Sequence, residues 1–346
     1  MAQVQTFLGP RGLEELGVTL MHEHVFVRSP ELDLDFPDVE WNETLAVERA
    51  VSGFVMLRSL GVRTVVDLTV PGLGRDVRLV AAVAARAPVN VVASTGYYAG
   101  KVLPPYLRVR APGRLIDGPD PLVELFVRDI EEGIAGTGVR AGMLKVMTDG
   151  SGISEDIARV MTAAAIAHRQ TGVPITTHSD PRARNGLDQL AFLRERGVRP
   201  ERVIIGHSGD SEDLDYLRAL MDEGATIGMD RFGMEHVLPD DRRVRTVLAL
   251  LDLGYADQMI LSHDAAYHSR VTPPSWRARA APRWHMENIS RRILPALRQC
   301  GASESDLHQM LVLNPRRLLD PSTHGSKTAR TRPATEQRDR TQEEAT

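Results

Sequence analysis

A chain of 346 residues with 42% hydrophobic and 25% charged side chains can bury a large core, and it is long for one ordinary domain but normal for a single α/β barrel. A formal net charge of −4 and a pI near 6.3 exclude an electrostatic drive toward nucleic acid or an anionic membrane. The lone Cys300 excludes an intrachain disulfide and a cysteine-built zinc site, and no apolar run approaches the roughly 18 residues of a membrane span.

The start, Met-Ala-Gln-Val-Gln-Thr, lacks the basic and apolar regions of a signal peptide, so the expected location is the cytoplasm. Predicted strands run in chain order over Val18–Val27, Thr64–Leu68, Val89–Ser94, Gly142–Met147, Pro174–Thr177, Val203–Gly206, Thr226–Met229 and Met259–Ser262. Each is a continuous apolar, β-branched run, the pattern of a strand covered on both faces by crossover helices. Predicted helices lie between them at Thr44–Ser59, Asp76–Arg86, Pro121–Glu132, Ser154–Gln170, Gly186–Arg196, Glu212–Glu223 and Asp241–Leu251. A Pro- and Trp-bearing loop (Thr272–Trp276) and two more helical stretches, Arg283–Gln299 and Ser303–Leu319, follow.

This alternation predicts a (β/α)8 TIM barrel over residues 1–319. A doubly wound open sheet would be expected to show a glycine-rich phosphate turn, and no G-x-G-x-x-G or Walker pattern is present. Residues 320–346 are polar with mixed charge and read as a disordered tail without a catalytic role.

In such a barrel the side chains at the carboxyl ends of the strands converge on one rim. Met21-His22-Glu23-His24 is the first notable end, because residues two apart on a strand share a face and present two imidazoles to one point. The same alternation turns Glu23 away from that point. Later ends add Lys145, Thr176-Thr177-His178, Ile205-Gly206-His207 and Ser262-His263-Asp264, with His263 turned toward the helices. Any one of these residues has an ordinary structural reading; four histidines and an aspartate on one rim form a metal site. Lys145 fits either as a substrate-binding or ion-paired lysine, or as a desolvated amine that takes up carbon dioxide and becomes an anionic bridging ligand.

The segments Thr19–His24, Thr176–His178, Val203–His207, Gly228–Gly233 and Ile260–Asp264 resemble the phosphotriesterase family of the amidohydrolase superfamily. Val70–Asp76, Thr95–Tyr98, Ala281–Trp284 and Asn314–Arg317 resemble the phosphotriesterase-like lactonases within it, so that the likeness runs from about Gln3 to Leu319. The resemblance implies two divalent metals, zinc first, with cobalt, iron or manganese also suited. His22, His24 and Asp264 would hold the more buried ion and His178 and His207 the more exposed one. Lys145, as N6-carboxylysine, would bridge both together with a hydroxide.

It further implies attack of that hydroxide on a lactone carbonyl, with Asp264 passing the proton to the leaving alkoxide and Tyr98 hydrogen-bonding the lactone. Arg231, which on charge alone pairs with Asp230, would line the pocket. Phe232, Met234, Tyr267 and Trp276, expected in the loops after the seventh and eighth strands, would form an apolar channel for the acyl chain of an N-acyl homoserine lactone or a medium-chain lactone. The partners implied are this small-molecule substrate and a second copy in a homodimer. The alternatives are an organophosphate triesterase (aryldialkylphosphatase), a non-catalytic barrel that would be expected to have lost a ligand, and a single-metal deaminase that would not need a modified lysine.

Overall fold

A computed structural model describes residues 2–322, and the tail expected from residue 320 lies from residue 323 onward outside the described residues. An antiparallel hairpin, β1 (Gln3–Thr6) with β2 (Gly9–Gly12), precedes the barrel. The barrel strands are β3 (Val18–Val27), β4 (Val62–Asp67), β5 (Asn90–Gly96), β6 (Ala141–Met147), β7 (Ile175–His178), β8 (Val203–Gly206), β9 (Thr226–Met229) and β10 (Met259–Leu261). They pair in parallel, each with its neighbour in sequence, in a ladder that runs from β10 back to β3.

The ring is closed by β11 (Ala266–Ser269), which pairs in parallel with the outer edge of β3. β10 and β11 are two halves of the eighth barrel strand, broken at Ser262–Ala265. At the break Asp264 has a left-handed φ of 54°, a conformation rare for a residue with a side chain and tolerated best by Asp and Asn.

The helices expected between strands are all present, shifted by a residue or two: Glu43–Ser59, Val77–Ala84, Pro121–Glu131, Glu155–Thr171, Gly186–Glu195, Leu214–Asp222 and Asp240–Asp252. Asn42, Asp76, Asp120, Ser154 and Asp213 cap five of them by accepting a backbone N–H from the first turn. The inner faces of these helices and the outer faces of the strands share the larger apolar cluster, which includes Phe54, Phe126, Leu193 and Val247. A second cluster fills the lower barrel with Met21, Val66, Val92, Met143, Ile204 and Ile260, plugged by Val4 of the hairpin and Leu318. A packed floor leaves only the carboxyl-end rim for chemistry.

Two expectations are corrected. The helix predicted from Arg283 begins at Ile289, because Pro282 and the indole of Trp284 hold the preceding residues in a turn. The helical stretches before Pro295 and Pro315 contain π turns at Ile289–Ile293 and Gln309–Leu313 instead of uniform α-helix. A proline lacks the N–H and crowds the carbonyl four residues back, and a wider turn absorbs both effects.

Candidate metal centre

His22 and His24 reach the same point as the H-x-H spacing predicts, but through a bulge. The register of β3 against β4 shifts between Leu20 and Glu23, so Met21 below and His22 above both serve the barrel interior. His22 and His207 are almost fully enclosed, as is Lys145, and His24 is 6% exposed.

The outward-facing nitrogens of three imidazoles are all occupied. His22 Nδ1 lies 2.6 Å from Asp230 Oδ2, and His207 Nδ1 lies 3.1 Å from Asp230 Oδ1. His24 Nδ1 lies 2.9 Å from Thr69 Oγ1, whose own proton goes to Asp67 Oδ1 at 2.6 Å, so the hydroxyl accepts and His24 Nδ1 carries the proton. Nδ1–H groups anchored in this way, two on the Asp230 carboxylate and one on the Thr69 hydroxyl, leave each Nε2 lone pair free toward the centre, which is how ligating histidines are held.

At the centre, His24 Nε2 stands 3.1 Å and His22 Nε2 3.5 Å from Asp264 Oδ1. His207 Nε2 stands 2.9 Å from His178 Nδ1, and Lys145 Nζ stands 3.0 Å from His22 Nε2. Nitrogen lone pairs facing one another around a half-buried carboxylate are the donor set of a cation, and imidazole with carboxylate suits zinc, cobalt, iron or manganese. His22, His24 and Asp264 gather on the Nε2 side. Asp230, though close to His22 and His207, sits on the Nδ1 side and anchors the rings.

Burial, then the Lys145 charge, lowers the His22 pKa. Burial, then the Arg231 charge, pushes His178 and His207 well below the ordinary imidazole value. All three are neutral donors at pH 7. Burial would raise the Asp264 carboxyl, but the His22 and His207 rings when protonated, and the permanent Arg231 charge, outweigh it and hold it well below the usual carboxylate range. Burial draws the Lys145 ammonium down to about 8 in spite of Asp264 and Asp230.

Tyr98 follows β5 at the rim, its N–H bonded to the Pro71 carbonyl at 2.9 Å, and its ring meets His178 edge-on at 5.5 Å. Burial, then Asp264, raises its phenol pKa, so it stays a proton donor.

Arg231 does not pair with Asp230 as charge alone suggests. Its Nε donates to Asp264 Oδ2 at 3.0 Å and its Nη1 to Asp210 Oδ2 at 2.9 Å, because Asp230 is already committed beneath the histidines. Of the four residues expected to line an acyl channel, Phe232 is sealed in the core and Tyr267 lies on β11 with its ring against Phe54 at 5.2 Å. Neither faces the rim. Met234 is buried, and Trp276 is 37% exposed on the short helix Pro274–Ala280, edge-on to His236 at 5.6 Å.

Three residues were missed from sequence. Asp230 and Thr69 orient ligands, and Trp284 donates its indole N–H to the carbonyls of His263 and Asp264 at 2.9 and 3.1 Å. Only Asp230 had a usable signal, since Gly206 and Gly228 leave the space its carboxylate occupies.

A sequence profile described as the phosphotriesterase family matches residues 2–319. The chain belongs to the phosphotriesterase family. A phosphotriesterase homology protein of Mycobacterium tuberculosis is 43% identical over 320 residues, covering 92% of this chain and 98% of that one. An aryldialkylphosphatase of Saccharolobus solfataricus is 37% identical over 308 residues, covering 88% and 96%. An N-acetyltaurine hydrolase of Dictyostelium discoideum is 23% identical over 376 residues, covering 92% and 98%. The structure of the phosphotriesterase from Mycobacterium tuberculosis superposes with a TM-score of 0.90 at 43% identity, over 92% of this chain and 98% of that one. Membership of the phosphotriesterase family identifies the chain as a metal-dependent hydrolase on a TIM barrel, with its histidine cluster at the strand ends. Among the described residues, no helix is long and apolar enough to cross a membrane.

Proposed function

We propose that the chain is a two-metal lactonase that opens N-acyl homoserine lactones or related medium-chain lactones, with weak activity on phosphotriesters. The observation that supports this reading is the half-buried Tyr98 phenol beside His178, a proton donor at the rim that would meet a lactone oxygen as it develops charge. The lactonase-like segments Gly72–Asp76 and Tyr97-Tyr98 add to it.

His22, His24 and Asp264 would hold one divalent cation and His178 and His207 the other, with Lys145 as N6-carboxylysine between them. Such a pair of ions supplies an activated water and polarises the substrate oxygen. Tyr98 would orient the lactone. Asp264 would take the proton of the nucleophile and return it to the leaving alkoxide, and Arg231, fixed between Asp210 and Asp264, would keep that carboxylate aimed. With Phe232 and Tyr267 turned inward, Met234 and Trp276 remain for the acyl chain.

The runner-up is an aryldialkylphosphatase, favoured by the name of the Saccharolobus relative. Hydrolysis of a panel of N-acyl homoserine lactones and alkyl lactones beside paraoxon decides between them, with metal-replete protein and Asp264→Asn as control. Lactone turnover that dominates and disappears in the control supports the lactonase. A higher catalytic efficiency on paraoxon than on every lactone reverses the order.

We propose further that the protein is a homodimer of the cytoplasm. Leu32, Leu34, Phe36 and Val39 are exposed on one short strap next to the rim and are the proposed contact. A dimer by light scattering that Phe36→Asp converts to monomer supports it.

A further inference from the structure

Glu23 lies between two proposed metal ligands yet faces the opposite way, and it is fully buried. Among the described residues its ion-pair partner is His263, with Oε1 2.6 Å from the His263 Nδ1. The same oxygen accepts the backbone N–H of His263 at 3.0 Å, and Oε2 accepts the N–H of Ala265 at 3.1 Å. The residue between them is Asp264, in its left-handed conformation, with its own N–H on the His22 carbonyl at 3.0 Å.

Every backbone N–H from His263 to Ala265 is thus committed to the strand segment His22-Glu23. The imidazole of His263 is fixed as well. Its Nε2 accepts the N–H of Ile289 at 3.0 Å, so Nε2 carries no proton and Nδ1 must be the donor to Glu23. Trp284 closes the other side by binding the carbonyls of His263 and Asp264.

This arrangement sits at the break in the eighth strand, where the ladder to β3 is interrupted. β10 ends at Leu261 and β11 begins at Ala266, and the seam between them and β3 is bridged by the Glu23 carboxylate, by His22 N–H on Ser262 Oγ at 2.9 Å and by His24 N–H on the Ala265 carbonyl at 2.8 Å. A strained left-handed aspartate persists only where its surroundings over-determine it.

We propose that Glu23 is a positioning residue for the metal centre: acting through neutral His263 and the backbone of residues 263–265, it holds Asp264 in the turn that aims its carboxylate at the cation. It rests on the reading of Asp264 as a metal ligand. A carboxylate accepts all three hydrogen bonds, whereas an amide offers one acceptor oxygen and an NH2 that faces a donor.

The test compares Glu23→Gln, His263→Asn and His263→Ala with the wild type, using Co2+ as probe ion. Chelator competition and the visible cobalt spectrum are recorded together with kcat, KM and the melting temperature of the metal-free protein. Glu23→Gln should weaken binding of one of the two ions by on the order of 10–100-fold and change the cobalt spectrum. Its kcat should fall while KM holds. His263→Asn, whose side-chain N–H can replace the Nδ1–H, should retain most of the affinity that His263→Ala loses.

A purely structural role would lower the melting temperature and leave cobalt affinity, spectrum and kcat within about twofold of wild type, and that result overturns the proposal. Should Glu23→Gln not fold, equal cobalt affinity in wild type, His263→Asn and His263→Ala overturns it as well. Failure of the wild type itself to bind two cobalt ions would instead overturn the two-metal reading.

Discussion

The carboxylate of Asp230 lies 2.6 Å from the Nδ1 of His22, and its second oxygen lies 3.1 Å from the Nδ1 of His207. One buried anion therefore orients an imidazole in each half of the donor cluster. It also accepts the backbone N–H of His207 at 2.8 Å, which fixes the left-handed turn (φ 62°) at the end of β8. The two proposed metal positions thus share one anchor.

Asp230→Asn should therefore weaken both ions together, by on the order of 10–100-fold each. The amide can still accept one hydrogen bond but presents N–H to the other imidazole. Gly228→Ala should act in the same direction without touching the carboxylate chemically, because an added Cβ would collide with the Asp230 side chain. Chelator competition with zinc measures both. Loss of one ion with the other held at wild-type affinity would show that the anchor is not shared.

Lys145 gives the second prediction. Burial lowers its ammonium to about 8, so the neutral amine able to add carbon dioxide becomes the main form above that pH. Reactivation of metal-free protein by zinc, at a fixed concentration of dissolved carbon dioxide, should accelerate as pH rises from 6.5 and level off above about 8. Lys145→Ala should lose metal and activity, with partial recovery in short carboxylic acids. Two tightly bound ions in Lys145→Ala without any acid would remove the bridge.

Much of this centre was legible because it is carried by strand ends, where local spacing decides direction. His22, His24, His178, His207, Lys145 and Asp264 all arrive at one rim. What was hidden depends on pairings distant in sequence. β11 is short and lacks β-branched residues, so Ala266–Ser269 reads as loop until its pairing with β3 is seen. Once Tyr267 lies on a strand, its ring turns into the helix layer and out of the pocket. Asp230 looked like the partner of its neighbour Arg231, since nothing local shows that β3 and β8 bring two imidazoles above it. Trp284 was read as part of a helix, and only the broken eighth strand gives its indole two carbonyls to bind.

Tyr98 supplies the third prediction. Its phenol stays protonated because burial and Asp264 both oppose ionisation. Tyr98→Phe removes a single donor and should lower lactone kcat by about 10²-fold while leaving metal content at the wild-type level. Measuring kcat and bound zinc on the same preparation separates the two effects. An unchanged rate on every lactone would take Tyr98 out of the reaction.

The last prediction concerns acid and the metal-free protein. His22, His178 and His207 have pKa values lowered by burial, so the folded chain keeps them neutral while the unfolded chain takes up protons below about pH 6.5. The unfolded state then binds more protons than the native state, and stability must fall as pH falls. Each proton taken up only on unfolding steepens the loss by about 1.4 kcal/mol per pH unit. Asp264 acts in a separate window. Its depressed pKa stabilises the fold above the ordinary carboxylate value, and that contribution is lost only in stronger acid, as pH falls through its folded value. Urea unfolding of chelated protein between pH 5 and 7.5 should therefore show stability rising with pH, and His178→Gln should flatten the slope. A slope equal in wild type and His178→Gln would show that this imidazole is not held neutral by the fold.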